Sequence, residues 1–289
     1  MRALAGFVMR GREQAVLVAA LSTATMLLSW LGAAVVALVT LRKGTRAGLQ
    51  VLLWALLPAV LITHFMREVG TLAVLLAVMA LALLLRSSRS WSGVLVLASL
   101  CGALVALILK GVAADYLDQL AERFLQLTGL MVESLGGAAE AAALPAPDAH
   151  LLAGMLGLNV AVTALLCLML ARWWQALLYN PGGFRAEFHR LRLPPATALA
   201  SLALGTALFA LGPSWRTWAM MAWLPLVVAG FGLFHGLVGQ RAAGRGWLVA
   251  GWLLWLLLDP LKLVFLLLAV ADSWMDFRGR GPRADNRQS

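Results

Sequence analysis

The sequence predicts an all-α fold, a polytopic bundle of transmembrane helices, on three observations. Hydrophobic residues fill 62% of the 289 positions and charged residues only 12%, about half the roughly 25% of a soluble domain. The mean hydropathy is +0.87, more apolar surface than a soluble chain of this size could hide. The apolar residues also come in long charge-free runs separated by short charged groups. Each run is close to the ~20 residues needed to cross about 30 Å of hydrocarbon.

The runs cover residues 15–41, 47–66, 69–85, 90–109, 151–171, 195–211, 217–240 and 246–271. Basic loops are retained on the cytoplasmic side. The N-terminal arginines, the cluster Arg42, Lys43 and Arg46, and the basic tail 277–289 therefore all belong inside. These placements agree if the first and last runs are bent hairpins. The first would bend near residues 29–32. The last would bend at Asp259-Pro260, where proline breaks the helix ladder. The expectation is about 8–10 membrane segments, with both termini cytoplasmic, in a single domain in a bacterial inner membrane. The basic N-terminus before a long apolar run could suggest a signal peptide, but the run is too long for one and many more follow.

Other classes are set aside on composition. The net charge of +10 is spread between apolar runs, so its expected partner is the lipid bilayer with its anionic headgroups, not nucleic acid. Cys101 and Cys167 each lie inside an apolar run without a CxxC or a His/Cys cluster, so no metal or cofactor is expected. Patterns of hydrolases, proteases and P-loop enzymes are missing from the sequence.

Two polar intervals carry most of the remaining information. In residues 111–150, Tyr116, Leu120, Phe124, Leu127, Met131 and Leu135 recur at helical spacing. Asp115, Asp118, Glu122 and Glu133 line the other side. This reads as an extracytoplasmic amphipathic helix, followed by the linker GGAAEAAALPAPDAH. The interval 172–194, RWWQALLYNPGGFRAEFHRLRLP, reads as a cytoplasmic basic loop. Trp173, Trp174 and Tyr179 fit an interfacial aromatic belt, with Arg172 beside them as a candidate ligand or partner contact. Asn180, Pro181, Gly182 and Gly183 form a turn whose backbone N–H groups could hold an anion, surrounded by Arg185, His189, Arg190 and Arg192. The loop is thus a candidate contact for a phosphate-bearing ligand or a partner protein.

Further candidates are ionisable groups at or inside apolar runs, which are costly there. His64 and His235 could bind a ligand or relay a proton. Asp259 and Lys262, three apart, could form a relay or keep a hairpin turn near water. Asp272 and Asp276 share a helix face just before Arg278. They could act as paired carboxylates or pin the C-terminal helix through arginine contacts.

The segment 172–194, together with the terminal LLLAVADSWMDFRGR, resembles the YybS-like predicted membrane proteins of bacteria, over nearly the whole chain. That resemblance implies a distant similarity to the substrate-binding membrane subunits of energy-coupling-factor transporters. It implies a small-molecule ligand held between helices and partner proteins that supply the energy. The acidic segment 115–135 is an addition to such a compact subunit. The leading expectation is a small-molecule transport or substrate-binding subunit. A non-transporting scaffold or envelope assembly factor is the alternative. A lipid-directed transferase is a third, and it requires Arg185 and His189 to converge with Asp272 and Asp276.

Overall fold

A computed structural model of the chain describes residues 1–134, 147–241 and 244–278. These form thirteen α-helices and no strand. The linker predicted at 136–150 therefore lies mostly outside the described residues, as do Leu135 and the tail from residue 279.

The first apolar run is broken. After the short α1 (Arg2–Arg10) come α2 (Arg12–Ala24) and α3 (Ser29–Lys43), packed against each other as a hairpin. The break falls at 25–28, slightly before the predicted bend, with Met26 at φ +55°. Hydroxyls explain the position. Thr23 donates to the Ala19 carbonyl at 2.8 Å and Thr25 to that of Ser22 at 2.8 Å. The Thr25 hydroxyl takes up the Ser22 carbonyl left over at the helix end, while Thr23 bonds back within its own turn.

Helix α3 is the centre of the bundle. Every residue from Gly32 to Leu41 is buried, against α2, α4 (Thr45–Met66), α5 (Gly70–Ser88) and α8 (Ala149–Tyr179). At 15 residues it is only ~22 Å long, too short to cross a bilayer, but protein surrounds it. Its last carbonyls find a partner in Arg86, whose Nη1 donates to the Leu41 oxygen at 2.7 Å.

Helices α4, α5, α6 (Trp91–Val112), α8 and α11 (Arg216–Gln240) are long and apolar enough to span a membrane. Their outward faces are apolar too: Leu53, Trp54, Leu57 and Leu61 on α4 and Leu100, Leu104 and Leu107 on α6 are exposed. Such surfaces call for lipid as solvent. Helix α10 (Pro195–Ala210) is apolar but shorter. Helices α12 (Arg245–Leu257) and α13 (Asp259–Met275) meet at 115°, with the break at Leu258, where the sequence places its second bend. Among the described residues five helices are thus long enough to cross a membrane singly, or six if α12 and α13 count as one, within the all-α polytopic bundle that the sequence predicts. The first run folds back on itself as two shorter helices of 13 and 15 residues.

The bundle has two distinct ends. At one, Arg86 reaches Leu41, Arg42 lies 4.1 Å over the Tyr179 ring, and Arg278 reaches His189. At the other, Lys110 Nζ lies 2.8 Å from His150 Nδ1, and Trp218 Nε1 donates to the His150 carbonyl at 3.0 Å. Helix α7 (Ala114–Ser134) packs at this second end through Leu117, Tyr116 and Leu120. Phe124, Leu127, Leu130 and Met131 further along it stay exposed.

Candidate functional site

The site is built around α9 (Gly183–His189), at the basic end. The residues leading into it are not all loop. Helix α8 runs on through Tyr179 because nothing breaks it before Asn180-Pro181-Gly182. Gly182 then turns the chain at φ +85°, and Gly183 N–H donates to the Asn180 carbonyl at 3.0 Å.

Helix α9 is gripped from two sides. On one, Glu187 receives Arg172 Nη2 and Nε, the latter at 3.0 Å, and Trp91 Nε1 at 3.2 Å. Burial pushes the Glu187 carboxyl up, but the Arg172 and Trp91 hydrogen bonds and the Arg172 charge outweigh it and hold it below the usual range. On the other side, Gly232, Gly236 and Gly239 of α11 let α9 approach closely. A Cβ at Gly232 would lie 2.9 Å from the Phe188 oxygen, and one at Gly239 2.8 Å from His189 Cε1.

The C-terminal turn closes the site. Asp272, only 2% exposed, forms an ion pair with Arg278 and accepts from Phe277 N–H at 3.1 Å. Arg278 Nη1 donates to the His189 carbonyl at 2.8 Å, and Gln240 Nε2 donates to the Arg278 carbonyl at 3.0 Å. Arg192 Nη2 reaches the Ser273 carbonyl at 2.8 Å, and its Nη1 lies 3.4 Å from Asp276.

These elements enclose a cavity of about 690 Å³ lined by Arg185, His189, Arg190, Arg192, Gln240, Asp276 and Arg278. Its charge balance is positive. Asp272 engages Arg278 and Asp276 engages Arg192. Arg185 and Arg190 are exposed and form no ion pair among the described residues. A second cavity, of about 750 Å³, adjoins the first at Arg185, His189 and Gly239. Its other walls are apolar: Leu165, Leu166 and Met169 of α8, Phe184 and Phe188 of α9, Val228 and Phe231 of α11, and Trp252 and Trp255 of α12. His235 belongs to this wall. Its Nδ1 lies 2.9 Å from the Phe231 carbonyl and its Nε2 accepts from Trp252 Nε1 at 3.4 Å. A ring bonded in this way donates at Nδ1.

The structure thus brings together Arg185, His189, Arg190, Asp276 and Arg278, with Asp272 directly behind and His235 in the second chamber. Arg172 and Gly183 position α9. Other candidates lie elsewhere. Trp173 is exposed, but Trp174 is fully buried in the main core. Its placement in an interfacial belt is corrected: it lies three residues after buried Ala171, on the inner face of α8. His64 is exposed at the far end of α4, against Phe65. Asp259 and Lys262 form an exposed local pair at 2.6 Å beside the α12–α13 bend. Arg192, expected beside the turn, lines the cavity as well. Gln240, the glycines of α11 and the Trp252/Trp255 wall complete the site and carry no charge that marks them in the sequence. The sequence signal for them is the four- and three-residue spacing of Gly232, Gly236 and Gly239.

Fold and surface together define a multi-pass helical membrane protein with two adjoining open cavities that share Arg185, His189 and Gly239. No family model, curated protein or solved structure matches the chain.

For an anion placed in the cavity, binding is expected to depend on pH through His189. Burial and then the charges of Arg185, His235 and Arg278 hold its imidazole below the usual value of 6.5. A bound anion favours the imidazolium and raises that value. Affinity for an anion must then increase as pH falls through the bound-state value, and level off below the free-state value. Binding of a phosphodiester, whose own charge is constant here, is expected to tighten between about pH 8 and about pH 5. His189→Ala should flatten the profile measured by titration calorimetry.

Proposed function

We propose that this chain is a small-molecule-binding subunit of a bacterial cytoplasmic membrane, of the YybS-like kind, with its basic end in the cytoplasm and its ligand in the paired cavities. The observation that carries this reading is the convergence of two sequence-distant sets, Arg185, His189 and Arg190 with Asp276 and Arg278, on one cavity that adjoins an apolar chamber. The excess of positive charge at that end supports the orientation. The packed interior of α3, from Ala33 to Leu41, favours binding and presentation at one end over a polar path through the middle. A transporting assembly would draw its energy from a partner, since this chain has no nucleotide motif. A lipid-directed transferase needs both carboxylates at the cavity, and only Asp276 lines it, while Asp272 is buried behind it. Binding is favoured because Asp272 and Asp276 are engaged by arginines.

The test is native purification followed by mass spectrometry of bound species. A small molecule should co-purify with the wild type. Arg185→Ala/Arg190→Ala should lower its occupancy at least about tenfold, the loss expected for hydrogen bonds to charged groups of about 1.5–3 kcal/mol. Equal occupancy would remove the site assignment. A partner protein lost with those arginines, without any small molecule, would replace this reading with the scaffold.

A further inference from the structure

The two chambers differ in chemistry, and the difference specifies a ligand. One is basic, with Arg185 and Arg190 unmatched by any carboxylate among the described residues. The other is lined by aliphatic and aromatic side chains. They share Arg185 and His189, so a molecule reaching from one into the other passes those two groups. Both volumes fall within the range of about 300–1,000 Å³ usual for small-molecule sites.

We infer that the ligand is an anionic amphiphile, with a phosphate-type head between Arg185, Arg190 and His189 and an aliphatic chain in the chamber formed by α8, α11 and α12. This rests on the binding-subunit reading above and narrows it. A soluble anion would leave the apolar chamber empty of any matching group. A neutral hydrocarbon would leave two arginines uncompensated beside it. An arginine fork suits the oxygens of a phosphate.

The walls also give the chain a route from the bilayer. Among the described side chains of helix α12 none is buried. It is held to α11 by the stack of Trp252 on Phe231, with ring centroids 3.9 Å apart, and by the Trp252–His235 hydrogen bond. Its other side chains, Trp247, Leu253, Leu256 and Leu257, are exposed and apolar. An amphiphile in the membrane meets this helix first, and its chain can enter the chamber from hydrocarbon without crossing water.

The experiment uses the full chain in neutral detergent and three probes, with affinities measured by titration and occupancy by native mass spectrometry. Hexadecyl phosphate carries both parts, inorganic phosphate the head alone and hexadecanol the chain alone. Hexadecyl phosphate is expected to bind at least about tenfold more tightly than either part. Arg185→Gln/Arg190→Gln should bring it to the level of hexadecanol. These side chains are exposed, so the fold should survive. Val228→Trp, which fills only the apolar chamber, should weaken hexadecyl phosphate and leave inorganic phosphate unchanged. Equal binding of inorganic and hexadecyl phosphate would overturn the amphiphile and leave the binding subunit standing. Equal binding of hexadecanol would overturn it by reducing the chamber to a general apolar groove. If all three fail to bind and no small molecule co-purifies, the binding-subunit reading falls as well.

Discussion

Asp272→Ala is expected to destabilise the protein by about 3–5 kcal/mol, the cost of removing one partner from a buried ion pair. The Asp272 side chain is 3% exposed, and the Arg278 side chain that it engages is 9% exposed. Without Asp272 the guanidinium is left in a place with little water. The Phe277 N–H loses its acceptor too. The loss should spread to the site, because the same arginine holds the His189 carbonyl and its own carbonyl accepts from Gln240. Heating the variant in detergent and following the monodisperse fraction should show a large drop in midpoint. Arg278→Ala should match it. The double variant Asp272→Leu/Arg278→Met should recover much of the loss, since replacing both buried charges by apolar groups is often near neutral. If the double variant is no better than either single one, the pair's charge balance is not what holds the C-terminal turn.

Much of the fold is legible in the sequence because lipid imposes simple rules. Apolar runs mark helices, and the charge pattern requires the first and last runs to fold back. The structure shows the chain breaking at 25–28 and at Leu258. Asn180-Pro181-Gly182 ends a helix because it is the first turn signal after Leu151, although the apolar run itself closes at Arg172. The number of spanning helices was not legible from run length alone. A charge-free run is the same string whether it crosses straight or bends inside protein, and α2 and α3 differ from one span only in their hydroxyl placement.

The candidate site was legible in part. Its cationic loop and C-terminal carboxylates stand out as charges in an apolar chain. Their meeting did not, because His189 and Arg278 are 89 residues apart and no local pattern encodes that contact. The direction of each aromatic was also hidden. In a helix that is apolar all round, no polar face marks the outside. Trp173 and Trp174 therefore read alike, although one is exposed and the other buried. The apolar chamber was invisible for the same reason. Trp252 and Trp255 read as lipid-facing residues, and only the packing of α12 against Phe231 makes them part of the chamber wall, with Trp252 still exposed on its other side.

Gly102→Ala should be the second large effect, and its position on α6 supplies its own control. Helices α6 and α8 cross in direct backbone contact. A Cβ on Gly102 would lie 2.5 Å from the Gly157 carbonyl oxygen and 2.9 Å from the Ala161 Cβ, and one on Gly157 would meet the Gly102 carbonyl oxygen. Neither obstacle is a flexible side-chain end, so a helix must move. Small residues at membrane helix contacts serve to allow this approach. Overpacking of this kind costs about 1–3 kcal/mol for a methyl group, and Gly157→Leu should exceed that range. On the same helix, a Cβ at Gly111 would meet nothing within 4 Å. Gly111→Ala should therefore stay within about 0.5 kcal/mol of the wild type. The comparison separates the crossing from helix propensity, which favours alanine at both positions. Helix α8 also carries Leu165, Leu166 and Met169 into the apolar chamber and Arg172 to Glu187. A displaced α8 should weaken ligand binding as well as lower the denaturation midpoint. Equal stability of the two alanine variants would mean that α6 and α8 do not cross in backbone contact.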